Sequence, residues 1–398
     1  MAPGRRTRSS GATGPPNTGP GDILGMLRRG QVTTRREIQT ATGLSRVTVA
    51  QRVDALLSAR LVREAGQSTS TGGRRPLRLE FDHEHKVVLA ASVNTTHSRV
   101  AALDLRGRML ASEDLELVVA DGPDALLGAL EARFPDILAA AGHRAEDVAG
   151  IGLSVPGPVD PTTMRPNQPP IMVGWDSFPL AEHVRRMFDV PVVVENDANA
   201  MALGEFIEHH PTSRSLVLVK VSTGIGAGLI LDGDVYPGSD GGAGDIGHMR
   251  IADSGEVPCS CGSVGCLAAT ASGGAIARRL AAIGKPATSG SDVGRLLKSG
   301  DADAVRLTRD AGRRIGEVLA AVVCVVNPST LVIAGDLAGA DLLSGIVESM
   351  FPRSMPRSIR NLDVELGQLG DDAALVGLTH LVVDHVFSPT AVNRLLQT

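Results

Sequence analysis

The 398-residue chain is predicted to be an α/β protein with a small basic helical module ahead of a larger acidic body. Short runs of β-branched and small apolar residues alternate with longer Ala- and Leu-rich segments, a pattern typical of strands and helices that share a core. Aromatic residues make up only 2% of the chain, so aliphatic side chains must build that core. Residues 1–80 contain 14 Arg against five Asp and Glu, which leaves 25 Lys and Arg against 39 Asp and Glu in the remainder.

This charge asymmetry favours nucleic acid as the partner of the front module, with a solvated basic tail as the alternative. No apolar run approaches the roughly 20 residues needed to cross a bilayer, and the N-terminus lacks the apolar segment of a signal peptide. We therefore expect a cytoplasmic protein with no membrane partner.

The front of the chain predicts a disordered tail followed by a helix-turn-helix. Residues 1–20 are rich in Gly, Pro, Ser and Thr and have no periodic apolar positions, so they cannot form a core. Residues 21–80 form the first predicted domain. Its second helix ends at Gly43, and its third begins at the N-cap Ser45. Val49, Val53, Leu56 and Leu57 then form a buried helical stripe.

The opposite face of this third helix is polar, as expected of a helix that reads the major groove. After it, a loop with Gly72 and Gly73 lies between two strand-like segments and resembles a wing, with an ordinary solvated hairpin as the alternative. The predicted DNA-binding residues are Ser45, Arg46, Thr48, Gln51 and Arg52 on the helix, with Arg74 and Arg75 in the wing.

The body contains a series of strand-like runs separated by helical segments. Gly107 and Gly233 each lie between two apolar runs, as the turn of a β-hairpin requires. Each hairpin follows another strand, so a meander is predicted to begin each of two lobes, with chance similarity as the alternative. The predicted strands are residues 87–93, 99–105, 148–155, 190–195, 215–221, 227–233 and 330–335.

Three of the four cysteines lie within eight residues and predict a metal site. Cys259, Cys261 and Cys266 have a C-x-C-x4-C spacing, with Gly262 and Gly265 available for tight turns. Three thiolates require a fourth ligand to close a tetrahedral zinc site. Reduced, unliganded thiols are the alternative. Cys324, inside the apolar segment AAVVCVV, is predicted to be an inert core residue.

Several motifs, in order, make the body recognisable: VPGPVD (155–160), VENDANA (194–200), STGIGAGLI (222–230), GDIGHM (244–249), CSCGSVGC (259–266) and VVNPSTLVIAGDL (325–337). Residues 80–390 resemble the ROK family of repressors, open reading frames and sugar kinases. With the wing segment Ser70 to Pro76, the chain resembles the repressor branch of that family.

The resemblance implies a two-lobed, actin-like (ribonuclease-H-like) fold with an effector cleft between the lobes, and a homodimer or homotetramer. The first lobe would span residues 81–199 and be completed by 371–390, and the second would span 200–370 and hold the zinc site. His248 is implied as the fourth ligand beside the three cysteines, which makes a closed, structural zinc site.

The same resemblance implies that Asn196, Asp197, Asp245 and His248 bind the effector. In the family's kinases, the Asp that matches Asp197 is the general base that takes a proton from the sugar hydroxyl. From the residues alone, helix capping is the alternative for Asn196 and Asp197.

Several departures from the family pattern predict that kinase chemistry is lost. Asp245 stands where the family has Glu, and Ala268 replaces another sugar-binding Glu. Ser92 and Asn94 replace the Asp and Gly of the first phosphate motif, so an anchor for Mg–ATP is missing. The glycines expected near the adenosine are replaced in AGDL (334–337).

The sequence therefore predicts a DNA-binding transcriptional regulator, a repressor, that binds a double-stranded operator and responds to a sugar or sugar derivative. It predicts no enzymatic activity and structural zinc as cofactor. One alternative is an active ATP-dependent sugar kinase with an added DNA-binding domain. Another is an effector-independent DNA-binding protein with a vestigial cleft.

Overall fold

The computed structural model describes residues 18–67, 77–252 and 254–397. The chain divides into two compact units. One unit comprises residues 1–85 together with 384–398, and the other comprises residues 86–383. The mixed α/β character predicted from the sequence is confirmed.

The first unit begins with three helices, α1 (Pro20–Arg28), α2 (Arg35–Thr42) and α3 (Arg46–Ser58). Thr34 caps α2, because its hydroxyl accepts a hydrogen bond from the Glu37 N–H while the Glu37 carboxylate accepts one from the Thr34 N–H. Gly43 ends α2 with a φ of +71°, a left-handed conformation that favours glycine. Ser45 caps α3 through the Thr48 N–H. The expected helix-turn-helix is therefore formed, with a core of Ile23, Leu24, Ile38, Val49, Val53 and Leu56, and with Leu57 half-buried.

Two antiparallel strands follow, β1 (Val62–Gln67) and β2 (Leu77–Phe81), which are the arms of the expected wing. The segment that connects them, residues 68–76, lies outside the described residues, and with it Arg74 and Arg75.

The C-terminus belongs to this first unit, which differs from the expectation that residues up to 390 complete the first lobe. The Phe387 ring packs edge-on against Phe81 at a centroid distance of 5.3 Å, and Asp384 pairs with Arg28. The last helix, Pro389–Leu395, contacts α1 through Asn393, whose side-chain oxygen accepts from the Gly21 N–H at 2.8 Å. These contacts tie the two chain ends together, and no local sequence pattern encodes them.

The second unit contains a five-stranded sheet of β3 (Val87–Val93), β4 (Ser98–Asp104), β5 (Met109–Leu115), β6 (Val148–Val155) and β7 (Val192–Asn196), in the order β5-β4-β3-β6-β7. The first three strands form an antiparallel meander, and β6 and β7 extend it in parallel. Gly107 makes the β4–β5 turn with a φ of +91°. Helices α4 (Pro123–Ala140) and α5 (Leu180–Phe188) cover this sheet.

The other sheet repeats that topology with β8 (Ser215–Val221), β9 (Ile225–Leu231), β10 (Asp234–Val235), β11 (Thr330–Ala334) and β12 (Asp363–Leu366), in the order β10-β9-β8-β11-β12. A meander is again followed by two parallel strands, and Gly233 makes the corresponding turn with a φ of +95°. The two predicted lobes, each opening with a meander, are therefore present.

Two helices, α6 (Asp197–His209) and α13 (Ala373–Val386), pack between the sheets. Their backbones approach closely, because a Cβ at Gly377 would lie 1.9 Å from the carbonyl oxygen of Ala200. The remaining helices are α7 (Leu267–Ala271), α8 (Gly273–Ala282), α9 (Gly290–Lys298), α10 (Ala302–Val326), α11 (Ala340–Arg353), α12 (Pro356–Ile359) and α14, the terminal helix Pro389–Leu395.

The prediction for Cys324 is wrong. It lies in the last turns of α10 and is exposed, because the buried stripe of that helix passes through Leu319, Ala320 and Val323. Within the described part of the chain, no single helix is long and apolar enough to cross a membrane. The segments Gly370–Val386 and Pro389–Leu395 reach that length and hydropathy only when taken together, and they are bent by 52° relative to each other.

Candidate functional site

A cavity of about 580 Å³ in the second unit is lined by residues of both lobes. Pro156, Pro170 and Ile171 contribute from the first lobe. The turn after β8 contributes from the second lobe. All four residues expected to bind an effector, Asn196, Asp197, Asp245 and His248, line this one cavity, which we call the cleft.

Asn196 and Asp197 lie at the junction of β7 and α6, at the carboxyl end of a parallel strand, where ligands of α/β proteins commonly bind. Asn196 does cap α6, since its side-chain oxygen accepts from the Asn199 N–H at 3.1 Å. Its amide nitrogen donates to the Gly157 carbonyl at 3.0 Å and so fixes the neighbouring loop. Capping and lining of the cleft are therefore compatible at this position.

Lys220 is a functional candidate that the sequence reasoning missed. It projects from β8, and its ammonium lies 2.5 Å from Asp197 Oδ2 and 2.8 Å from Asn94 Oδ1. The side chains of Lys220 and Asp197 are only 14% and 8% exposed, so the ion pair is largely shielded from water. A single charge in the apolar strand SLVLVKV was the available signal, because a strand buried in a sheet rarely contains a lysine without a partner.

Two further carboxyls in this region have raised pKa values. Burial raises the pKa of Glu195, although the Asn199 side chain and the Asn196 N–H both donate to it. Burial also raises the pKa of Asp245, against the opposing charge of His248 and with a contribution from Asp240. Hydroxyl groups of a ligand would offer such desolvated carboxyls hydrogen-bond donors.

The region that matches the phosphate motif lines a small cavity of about 70 Å³, which shares Thr95, Lys220 and Ser222 with the cleft. Ser92, at the end of β3, is 3% exposed and accepts a hydrogen bond from the Ser154 hydroxyl. Asn94 accepts from Lys220, and two carboxylates, Asp336 and Asp371, also line the cavity. The space is small, and its lining includes acidic groups.

The turn after β8 is held by bonds within the protein. The Gly273 N–H donates to the Ser222 carbonyl at 2.8 Å, and the Gly290 N–H donates to the Thr223 hydroxyl at 3.2 Å. Gly335, in the AGDL segment, has a φ of +96° and packs against Ser222. The N–H groups of Gly273 and Gly290 therefore already have acceptors within the chain.

His248, Cys259, Cys261 and Cys266 come together in the second lobe, with one ligand atom from each lying within 4.8 Å of the others. Gly262 and Gly265 both have positive φ values, +86° and +69°, which lets the chain turn tightly around the cluster. His248 also lines the cleft, so the cluster and the cleft share a residue.

The thiols of this cluster strongly influence each other. Burial opposes ionisation of Cys259, but the Cys261 N–H and the His248 ring lower its pKa to about 7. Burial and the two neighbouring thiols raise the pKa of Cys266 to about 12. Three sulfurs and an imidazole are the donor set of a tetrahedral structural zinc site, and they fit a Zn²⁺ ion that holds all three thiols as thiolates.

In the first unit, the N-terminal half of α3 presents the exposed residues Ser45, Arg46 and Gln51. Thr48 is half-buried, and its hydroxyl lies 2.8 Å from that of Ser45. Arg52 does not project freely as expected, because its guanidinium donates to the carbonyl oxygen of Thr18. That bond anchors the segment before α1 rather than leaving Arg52 on the open face.

A helix-turn-helix unit together with a two-lobed unit of repeated topology defines the class, a DNA-binding module combined with an actin-like body. The sequence model of the ROK family matches residues 89–385, and the chain belongs to the ROK family.

Its relatives include both regulators and kinases. The xylose repressor of Bacillus spizizenii is 27% identical over 372 residues, which cover 91% of this chain and 94% of that protein. The DNA-binding transcriptional dual regulator NagC of Escherichia coli (strain K12) is 27% identical over 379 residues, which cover 92% of each protein.

Solved structures show the same fold. The crystal structure of a ROK family transcriptional regulator, a homolog of the E. coli MLC protein, matches with a TM-score of 0.78 and 23% identity, and covers 95% of this chain and 98% of that one. A ROK family glucokinase from Streptomyces griseus, in complex with glucose and AMPPNP, matches with a TM-score of 0.64 and 27% identity, and covers 74% of this chain and 98% of that one.

Proposed function

We propose that this ROK protein is a DNA-binding transcriptional regulator, a cytoplasmic repressor whose cleft binds a small-molecule effector. The observation that carries the proposal is the helix-turn-helix of residues 20–58, in a chain that matches proteins named as repressors over more than nine-tenths of its length. A kinase needs no such module.

In this proposal α3 lies in the major groove of a double-stranded operator. The exposed side chains of Arg46 and Gln51 contact phosphates and base edges. Arg74 and Arg75 of the wing contact the adjacent backbone or minor groove. A homodimer or homotetramer places two recognition helices on the half-sites of a palindrome, about one or two helical turns apart.

The effector is a sugar or a sugar derivative bound in the cleft by Asn196, Asp197, Asp245 and His248. The cavity volume of about 580 Å³ falls within the roughly 300–1,000 Å³ typical of small-molecule pockets. The relatives are named for xylose and other sugars, which supports this class. Asp245 is shorter than the family's Glu, and Ala268 offers no hydrogen bond, so the preferred sugar differs from that of the kinases.

The cleft senses its ligand and does not phosphorylate it. Lys220 donates to Asp197, the residue that would act as general base, and so occupies a carboxylate oxygen that would otherwise take the proton. The Asp and Gly of the family's first phosphate motif are replaced by Ser92 and Asn94, which removes an anchor for Mg–ATP. The effector acts by binding one arrangement of the lobes more tightly than another.

We also propose that His248, Cys259, Cys261 and Cys266, whose ligand atoms lie close enough to share one ion, would hold a structural zinc. These four residues would fill all the positions of a tetrahedral ion, so a zinc held there would stabilise the loop beside the cleft and supply no water activation.

The DNA proposal is tested by selecting bound duplexes from a random library with the full-length protein, and measuring affinity for the recovered sequence by fluorescence anisotropy. Arg46→Ala should weaken binding and reduce the slope of log affinity against log salt by about one. Arg214→Ala is the control, because Arg214 is 88% exposed but lies in the other unit. Recovery of no preferred sequence would contradict the proposal.

The effector and kinase alternatives are separated by two assays. A thermal-shift screen against monosaccharides, sugar phosphates and disaccharides should reveal a ligand that raises the melting temperature, and Asp197→Asn should weaken that shift. If no compound binds, the vestigial-cleft alternative is favoured. Turnover of ATP with any hexose, abolished by Asp197→Asn, would establish the kinase alternative instead.

A further inference from the structure

Val47 is an exposed aliphatic residue in the first turn of α3. Val47 is 66% exposed, whereas Val49, Val53 and Leu56 of the helix's stripe are at most 2% exposed and Leu57 is half-buried. A β-branched residue is not favoured in a helix for its propensity. Among the described residues, packing within the first unit does not account for a valine here.

From its position and chemistry, we propose that Val47 determines operator specificity by contacting the C5-methyl group of a thymine in the major groove. This inference rests on the proposed DNA-binding function and deepens it. An isopropyl group donates and accepts no hydrogen bonds, and the C5-methyl of thymine is the only apolar group that a base pair presents in the major groove.

The position of Val47 in the helix supports this contact. Ser45 caps α3 and its hydroxyl lies 2.8 Å from that of Thr48, so the first turn is held in place. The N-terminal residues of a recognition helix are the ones that reach base edges. Val47 therefore lies where a side chain meets bases rather than phosphates.

Val47 also shares a face of α3 with a polar residue that can form hydrogen bonds with base edges. Gln51 follows four residues later, is exposed, and lies on the same side of the helix one turn further along. A glutamine amide can pair with both N6 and N7 of adenine, and a methyl contact one or two base pairs away would read thymine. The inference therefore includes a short A·T-containing step in each half-site.

The test replaces single thymines by deoxyuridine in the operator recovered from the random library. This change removes only the C5-methyl and leaves the base pair intact. At one thymine position in each half-site, the replacement should weaken the binding of the wild-type protein by about fourfold per half-site. This is the loss expected when one methyl group is no longer buried. Other thymines should show no change.

Val47→Ala should bind the thymine operator more weakly and should no longer distinguish thymine from deoxyuridine at that position. Because Val47 is exposed, the substitution is expected to leave the fold intact, which circular dichroism and thermal melting check. Val325→Ala is the matched control, since Val325 is 85% exposed on α10 in the other unit and should keep the fourfold discrimination.

The outcomes separate this inference from the proposed function. If a duplex is selected but no deoxyuridine weakens binding, or the penalty persists in Val47→Ala, the role of Val47 is overturned while DNA binding stands. A selected half-site that lacks thymine has the same consequence. If no duplex is selected at all, the DNA-binding proposal fails and the inference falls with it.

Discussion

The ion pair between Lys220 and Asp197 can be tested by removing one charge at a time. Lys220→Met keeps most of the length of the side chain but removes the ammonium, so Asp197 retains only the Ala198 N–H on its Oδ1, at 2.7 Å. The Asp197 side chain is 8% exposed, and removing one partner of a buried pair costs about 3–5 kcal/mol. Because the pair borders the cleft, we expect the lower end, about 3 kcal/mol.

The double variant Lys220→Met/Asp197→Asn should recover most of this loss, because neutral groups of similar shape leave no unpaired charge. Urea denaturation followed by tryptophan fluorescence measures the free energy of unfolding for the wild type, both single variants and the double variant. The chain contains one tryptophan, Trp175, which is buried in the same unit and therefore reports on it.

The thermodynamic cycle distinguishes a direct pair from two independent side chains. A coupling energy well above 1 kcal/mol between the two substitutions is the expected result. If Lys220→Met is as stable as the wild type, or if the two substitutions are additive, the ammonium does not pair with Asp197. Lys220 would then not be what prevents Asp197 from acting as a base.

Three further results are expected. Cys261→Ser should reduce the bound zinc, measured by mass spectrometry, below one ion per chain and should lower the melting temperature. Cys324→Ser, at the other exposed cysteine, should change neither quantity. Equal zinc in both variants would count against the site. Gly377→Ala should cost about 1–3 kcal/mol of unfolding free energy because its Cβ would meet the Ala200 carbonyl, and Gly128→Ala, with open space around it, should not destabilise the protein. Glu37→Gln should destabilise the first unit at neutral pH, because hydrogen bonds from Thr33 and Thr34 lower the pKa of Glu37. A carboxylate with a lowered pKa stabilises the fold above its unfolded-state pKa, so the difference should fade as the pH falls through the folded-state value, and a difference that persists in acid would refute this role.

The central strands of the two sheets were predictable because they are buried, whereas β5, β10 and β12, which contain no buried residue, were not among the predicted strands. β3, β6 and β8 have the bounds predicted from their mainly apolar sequences, as expected of strands covered on both faces. Gly107 and Gly233 were recognisable because a tight hairpin needs a residue that tolerates positive φ. The metal cluster was recognisable because three cysteines within eight residues are rarely coincidental.

The contacts that the sequence did not reveal are those between distant segments. Asp384 and Phe387 lie more than 300 residues from Arg28 and Phe81 in the chain, and their pairing depends on tertiary packing. Cys324 was wrongly predicted to be buried. It lies in a helical segment that is apolar on every face, so the sequence does not show which face packs against the core. Arg52 was assigned to the DNA-binding face by its helical position, but its guanidinium donates a hydrogen bond to the carbonyl oxygen of Thr18, before α1.

The central claim is that the front module recognises duplex DNA by sequence. It is tested most directly by comparing the affinity of the full-length protein for its selected operator with that for a scrambled duplex of equal length and composition, at physiological salt. We expect the operator to bind at least about 10³-fold more tightly. Equal affinity for the two duplexes would show that the basic module attracts polyanions without reading bases, and would contradict the account.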